Sequence, residues 1–131
     1  LSTVLLKDNS LYGVSLYGEM CCLDGNTGAR VWTTLAPTSG GAQPKERWHT
    51  VFMITHRDRV LIFNERGELI LCRLSAKGYE EISRAPIIEP DMASSGGGRK
   101  VVWSHPAFAN RCIYARNDHE LIRVSLAANP Q

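Results

Sequence analysis

Apolar and polar residues alternate along this chain in short runs, and the runs recur. Three stretches align around one short core: residues 11–23, 60–74 and 113–126. In each, two runs of period two flank a tight polar turn, which predicts a β-hairpin. Glu19, Glu68 and Glu120 occupy the same place in the three copies, each followed by Met or Leu, at a spacing of about 50 residues. The turns are Leu16-Tyr17-Gly18, Glu65-Arg66-Gly67 and Asp118-His119. Gly18 and Gly67 supply the positive φ such turns need. His119 replaces glycine in the third, so that turn is expected to be shorter or differently shaped.

Further strand-like runs flank the hairpins. Residues 4–6, 49–55 and 106–109 precede them, across turns at Asp8-Asn9, Arg57-Asp58 and Asn110-Arg111. Residues 30–34 and 79–84 follow the first two hairpins, and no such run follows the third. The prediction is an all-β segment, 1–131, with two units of four strands and one of three, at about 1–36, 48–88 and 103–128. Four strands per unit at this period is the signature of a β-propeller blade, and three units make an incomplete ring. Residues 37–47, with Gly40, Gly41 and Pro44, and residues 89–100, with Pro90 and a Ser-Ser-Gly-Gly-Gly run, read as mobile surface loops.

Composition narrows the function classes. With 44% apolar and 21% charged residues the chain is a folded globular one. A net charge of +2 gives no basis for a nucleic-acid partner. No apolar run is long enough for a direct membrane span. The first residues lack the basic region of a signal peptide, so the chain reads as a segment of a longer protein. Cys21, Cys22, Cys72 and Cys112 form no C-x-x-C pair and have no histidine at zinc-site spacing. Buried free thiols and no structural metal are expected.

One motif stands out, residues 22–32, CLDGNTGARVW. Asp24 can accept hydrogen bonds from turn amides, Thr27 can close the turn, and Gly28 can take a left-handed conformation. Trp32 can then lie against the next unit and bury a large aromatic area. The stretch resembles the tryptophan-docking motif of the PQQ-like (pyrroloquinoline-quinone-type) β-propeller repeat family, A-x-D-x-x-T-G-x-x-x-W. Asp24, Thr27, Gly28 and Trp32 match, and Cys22 replaces the alanine. In the second unit only Gly78 survives, among Cys72, Leu74, Lys77 and Ile82, and the third unit stops before the motif. Residues 104–114 also resemble the family's inner strand and hairpin. The likeness covers nearly the whole chain and is strongest to uncharacterised repeat proteins of planctomycete-type bacteria. It implies a periplasmic or other extracytoplasmic place. It also implies that the partners are other blades of a parent protein or a second copy of the chain, with a protein partner bound by strand edges or loops.

Family enzymes hold a quinone and Ca²⁺ above an adjacent Cys-Cys disulfide. Cys21 and Cys22 invite that comparison, but neighbours on a strand point to opposite faces. Glu19, Glu68 and Glu120 could form a partial carboxylate ring for Ca²⁺, although a solvated turn residue is the plainer reading. Asp8, Asp24, Asp58, Asp91 and Asp118 fall in turns or loops and match no quinone-site motif. Trp48 and Trp103 could stack on a planar ligand, and His49 and His105 stand at comparable places beside them; His56 and His119 are scattered. No nucleophile elbow or phosphate-binding loop is present. These readings assign no catalytic residue and no metal. The expected function is a non-enzymatic scaffold or binding segment without a cofactor. A PQQ/Ca-dependent quinoprotein alcohol dehydrogenase fragment is the alternative, and a small-molecule sensor using Trp48, His49, Trp103 and His105 is a third.

Overall fold

The computed structural model describes residues 2–41, 47–93 and 98–128. Strands β1 (Leu5–Lys7), β2 (Ser10–Val14), β3 (Met20–Asp24) and β4 (Arg30–Thr34) form one antiparallel sheet in chain order. A one-turn helix, α1 (Ala36–Ser39), leads to the second sheet. That sheet is β5 (Val51–His56), β6 (Arg59–Asn64), β7 (Glu68–Ser75) and β8 (Gly78–Pro86), again in order. A ribbon of β9 (Met92–Ala93) and β10 (Lys100–Val101) follows. The third sheet has β11 (Ala107–Ala109), β12 (Cys112–Arg116) and β13 (Leu121–Ser125). Among the described residues there are thus two sheets of four strands and one of three, besides the β9–β10 ribbon.

The pleat explains where the core lies. Alternate residues of a strand face opposite sides. Val60, Ile62, Ile70, Cys72 and Leu74 of the middle sheet pack with Tyr12, Met20 and Cys22 of the first. Phe63 and Leu69 face the other way and pack with Ile113 and Ala115 of the third. The middle sheet is thus buried on both faces, which is why residues 60–63 and 69–72 are continuously apolar. Burying each such side chain is worth about 1.5–3 kcal/mol, and only stacking of the sheets achieves it.

The hairpin turns obey the sequence. Asp8 and Asn9 (φ 48° and 60°), Arg57 (57°), and Asn110 and Arg111 (50° and 57°) carry the left-handed turns that suit strand twist. Gly18 and Gly67 have φ of 83° and 76°. At Gly67 the demand is also steric: a β-carbon would meet the Ile88 carbonyl oxygen at 1.8 Å. Each outer strand carries a bulge at the same place. Cys22 pairs with Trp32 and Leu23 with Arg30, leaving Val31 extra; Leu71 pairs with Ser83 and Cys72 with Glu81, leaving Ile82 extra.

The loop reading needs correction. Residues 36–39 form α1, and Pro37 and Thr38 are buried. Thr38 Oγ1 donates to the Gly18 carbonyl at 2.6 Å, Asn64 Nδ2 to the Pro37 carbonyl at 3.1 Å, and Arg84 Nη2 to the Ala36 carbonyl at 2.7 Å. This turn clamps the first two units together. In the second connection, β9 and β10 pair, and Val101 and Val102 are buried. Pro44 and residues 94–97 lie outside the described residues.

Candidate functional site

The three hairpin turns share a local device. Ser15 Oγ accepts from the Glu19 amide at 3.3 Å, Asn64 Oδ1 from the Glu68 amide at 3.1 Å, and Asn117 Oδ1 from the Glu120 amide at 2.8 Å. Small polar side chains ahead of each glutamate therefore close the turns. The third turn is one residue shorter, as His119 in place of glycine suggested. The repeated glutamates owe their position to this turn. Glu68 is not a solvated residue: its Oε1 accepts from Asn64 Nδ2 at 2.9 Å and from Arg84 Nη1 at 3.1 Å.

The most constrained polar group is Glu65, read from sequence only as a turn residue. Its side chain is 2% exposed. Oε1 lies 3.1 Å from His49 Nδ1 and accepts from Arg99 Nε, and Oε2 accepts from Trp103 Nε1 at 2.9 Å. Its carbonyl accepts from the Val102 amide at 2.7 Å. Burial alone would push this carboxyl upward, but the bonds from His49, Arg99 and Trp103 outweigh it and bring the pKa to about 2. The glutamate ties both inter-unit connections to the central hairpin.

Two of the four expected ligand-facing residues meet here, His49 and Trp103. His49 is buried, and a β-carbon at Gly18 would lie 2.7 Å from its ring. His105 goes elsewhere: it is exposed, and its ring lies tilted against Phe52 with 3.9 Å between ring centroids. Trp48 is 53% exposed with φ of 65°, and its amide donates to the Leu16 carbonyl at 2.8 Å. Beside Leu16, Tyr17 is also exposed, with the Arg47 guanidinium 5.8 Å from its ring centroid. His119 is exposed with Nδ1 2.5 Å from Asp91 Oδ2, and that carboxylate raises its pKa.

In the motif 22–32, Asp24 Oδ1 accepts from the Asn26 and Thr27 amides and from Thr27 Oγ1, at 3.0, 2.8 and 2.9 Å. The bonds from Thr27 foremost lower its pKa. Gly28 has φ of 71°. The Trp32 ring packs against the core, 5.9 Å from Tyr12, and its Nε1 donates to the Ser75 carbonyl of the next unit at 2.8 Å.

The adjacent cysteines, expected on opposite faces of their strand, are so placed. Cys22 is buried in the core, whereas Cys21 faces the other side and is half-buried, and both thiols are free. Burial pushes the Cys72 thiol up to about 12, which makes it unreactive. Among the described residues no three His, Cys, Asp or Glu side chains are placed to share a cation. No described helix is long and apolar enough to cross a membrane.

No protein-family model matches the chain. No curated protein matches it either. Solved structures do. BamB from Moraxella catarrhalis aligns at 14% identity and a TM-score of 0.55, over 92% of this chain and 30% of that one. A chain of the mitotic checkpoint complex aligns at 20% identity and a TM-score of 0.55, over 94% of this chain and 37% of that one. The chain therefore spans about a third of the length of these structures. Taken with the stacked four-stranded sheets, these likenesses establish the fold: the chain is an arc of β-propeller-type blades whose ring is not closed.

Proposed function

We propose that this chain is a non-enzymatic interaction scaffold, a run of PQQ-like propeller blades that binds a protein on the face where the hairpin turns meet the inter-unit connections. The observation that carries the reading is Trp48. A large aromatic held with φ of 65° and 53% exposed is strained backbone retained at an accessible surface. Tyr17, 43% exposed, and Trp103, 42% exposed, extend the aromatic surface, with Arg47 alongside. Trp, Tyr and Arg are the side chains that dominate protein interfaces. The Glu65 knot holds Trp103 in one orientation, so the surface is organised before a partner arrives. In this reading Asp24, Thr27, Gly28 and Trp32 are the blade-docking motif, with a structural role. Interaction-scaffold use fits the one assembly named for a fold neighbour, the mitotic checkpoint complex.

The test is selection of peptides from a random library on the purified chain, followed by affinity measurement on Tyr17→Ala and Trp48→Ala variants. Enriched peptides that lose tenfold or more in affinity on both variants support the reading. No enrichment, or binders indifferent to both changes, overturns it. Saturable tryptophan quenching by pyrroloquinoline quinone with Ca²⁺ would instead favour the dehydrogenase alternative.

A further inference from the structure

A charge pattern accompanies the aromatic surface around Trp48. Beneath it runs a chain of contacts between the first two units. The Leu16 carbonyl accepts from the Trp48 amide, Gly18 abuts the His49 ring, and His49 Nδ1 lies 3.1 Å from Glu65 Oε1. An exposed arginine stands at each end of this chain, Arg47 before Trp48 and Arg66 after Glu65. Both lean toward the first hairpin turn. The Arg47 guanidinium lies 5.8 Å from the Tyr17 ring centroid. Arg66 Nη1 lies 3.8 Å from the place of a β-carbon on Gly40, at the end of the α1 turn that Thr38 ties to Gly18.

The carboxylates of the first two hairpin turns leave these cations unanswered. Glu65 is buried and holds His49, Arg99 and Trp103, and Glu68 is taken by Asn64 and Arg84. Glu19 is half-buried and not free. Among the described residues neither Arg47 nor Arg66 has a carboxylate partner. A guanidinium presents a planar fork of N–H donors that matches a carboxylate. An aromatic face takes an apolar or aromatic side chain. Tyr17 and Trp48 between two such cations therefore suit a segment that reads acid, aromatic, acid.

A nucleic-acid strand also combines stacking with negative charge. Its affinity comes from many phosphates in a row, and two arginines answer few of them. Farther along this face the sign reverses, because Glu89, Asp118 and Glu120 are exposed around the third hairpin turn. A long polyanion would run onto those carboxylates, whereas a short acidic segment stops before them.

We infer that Tyr17, Trp48, Arg47 and Arg66 take a short acidic segment of a partner protein, with one aromatic side chain on the two rings and a carboxylate to each arginine. Charge complementarity selects this occupant over a neutral or basic segment. The inference rests on the scaffold reading and adds the chemistry of the partner.

The probe is a capped peptide in which one phenylalanine stands between two pairs of glutamates, closed by a glycine at each end. Binding is followed by calorimetry. Saturable one-to-one binding is expected, weakened about tenfold or more when glutamines replace the glutamates. The same loss is expected on the Arg47→Gln, Arg66→Gln double variant, with its fold checked by circular dichroism. Lys77→Gln, exposed beyond the far end of β7, should leave the affinity unchanged; a loss there as large as on the double variant would mean unspecific attraction and overturn the inference. No binding, or binding indifferent to the glutamines or to the double variant, also overturns it. The scaffold reading survives that result if library-selected peptides still depend on Tyr17 and Trp48. Acid-dependent binding that persists on Tyr17→Ala and Trp48→Ala overturns both. An oligothymidylate of about the peptide's length that binds more tightly than the peptide, and weakens on the same variants, overturns the inference in favour of a nucleic acid.

Discussion

The two junctions between neighbouring sheets are built differently. The first is packed with apolar side chains and bridged by polar bonds. Its core includes Tyr12, Met20 and Cys22 against Ile62, Ile70 and Leu74, with Trp32 reaching across to Ser75 and α1 spanning both sheets. The second is sealed where the connections cross and open toward the outside. Phe63, Ile88, Val102 and Ile113 fill its closed part, Glu65 locks the crossing segments, and a groove remains beside β13. The first junction depends mainly on apolar area, spread over many contacts. The second concentrates its polar bonding in one buried carboxylate. Concentrated bonding should fail sharply when one group is removed, and distributed packing should fail gradually.

The sharpest way to break the second junction is Glu65→Ala. It strands His49, Arg99 and Trp103 around a missing acceptor, and the expected loss is about 3–5 kcal/mol by urea unfolding. The same group sets an acid dependence. Its folded pKa is about 2 against an ordinary 4.5. The stability it contributes is therefore present above that ordinary value and is lost as pH falls toward the folded one, roughly 3 kcal/mol in all. Glu65→Gln should flatten the acid limb of stability against pH by that amount.

Gly67→Ala, compared with Gly28→Ala, separates backbone strain from crowding. Both glycines have positive φ, 76° and 71°, but only Gly67 faces a carbonyl oxygen at 1.8 Å, while nothing lies within 4 Å at Gly28. The expected losses are about 2–4 kcal/mol at Gly67 and about 1 kcal/mol at Gly28. Equal losses would mean that the Ile88 segment yields easily, and that the second junction is softer than its bonding implies. The smallest effect belongs to the first junction. Trp32→Phe keeps most of the packing and removes the bond to Ser75, for about 1 kcal/mol. A much larger loss would show that this junction, too, hangs on one group.

The hairpins were legible in the sequence because their signals are local. Period-two alternation, Gly18, Gly67 and the Asp8-Asn9 turn act over a few residues. Asp24, Thr27 and Gly28 were legible for the same reason, since every bond of Asp24 closes within three residues. Glu65 was not. Arg99 and Trp103 lie 34 and 38 residues away, and a glutamate before Arg-Gly looks like any exposed turn. The buried Pro37 and Thr38 hid behind a composition of Gly, Ser and Pro for a similar reason, as their partners are on two other sheets. His49 and Trp103 could be picked out as residue types near a channel-like position, but their shared partner required the fold. His105 resembled His49 in spacing alone and lies against Phe52 instead.

Val31 and Ile82, the surplus residues of the two outer strands, are β-branched apolar groups that are 45% and 39% exposed. They look misplaced as surface chemistry and make sense as length. Because each stands between two pairs that persist without it, deleting either residue would leave the ladder's partners unchanged and remove only the local bend and extra twist. The local twist of each outer strand is then set by counting rather than by side-chain identity.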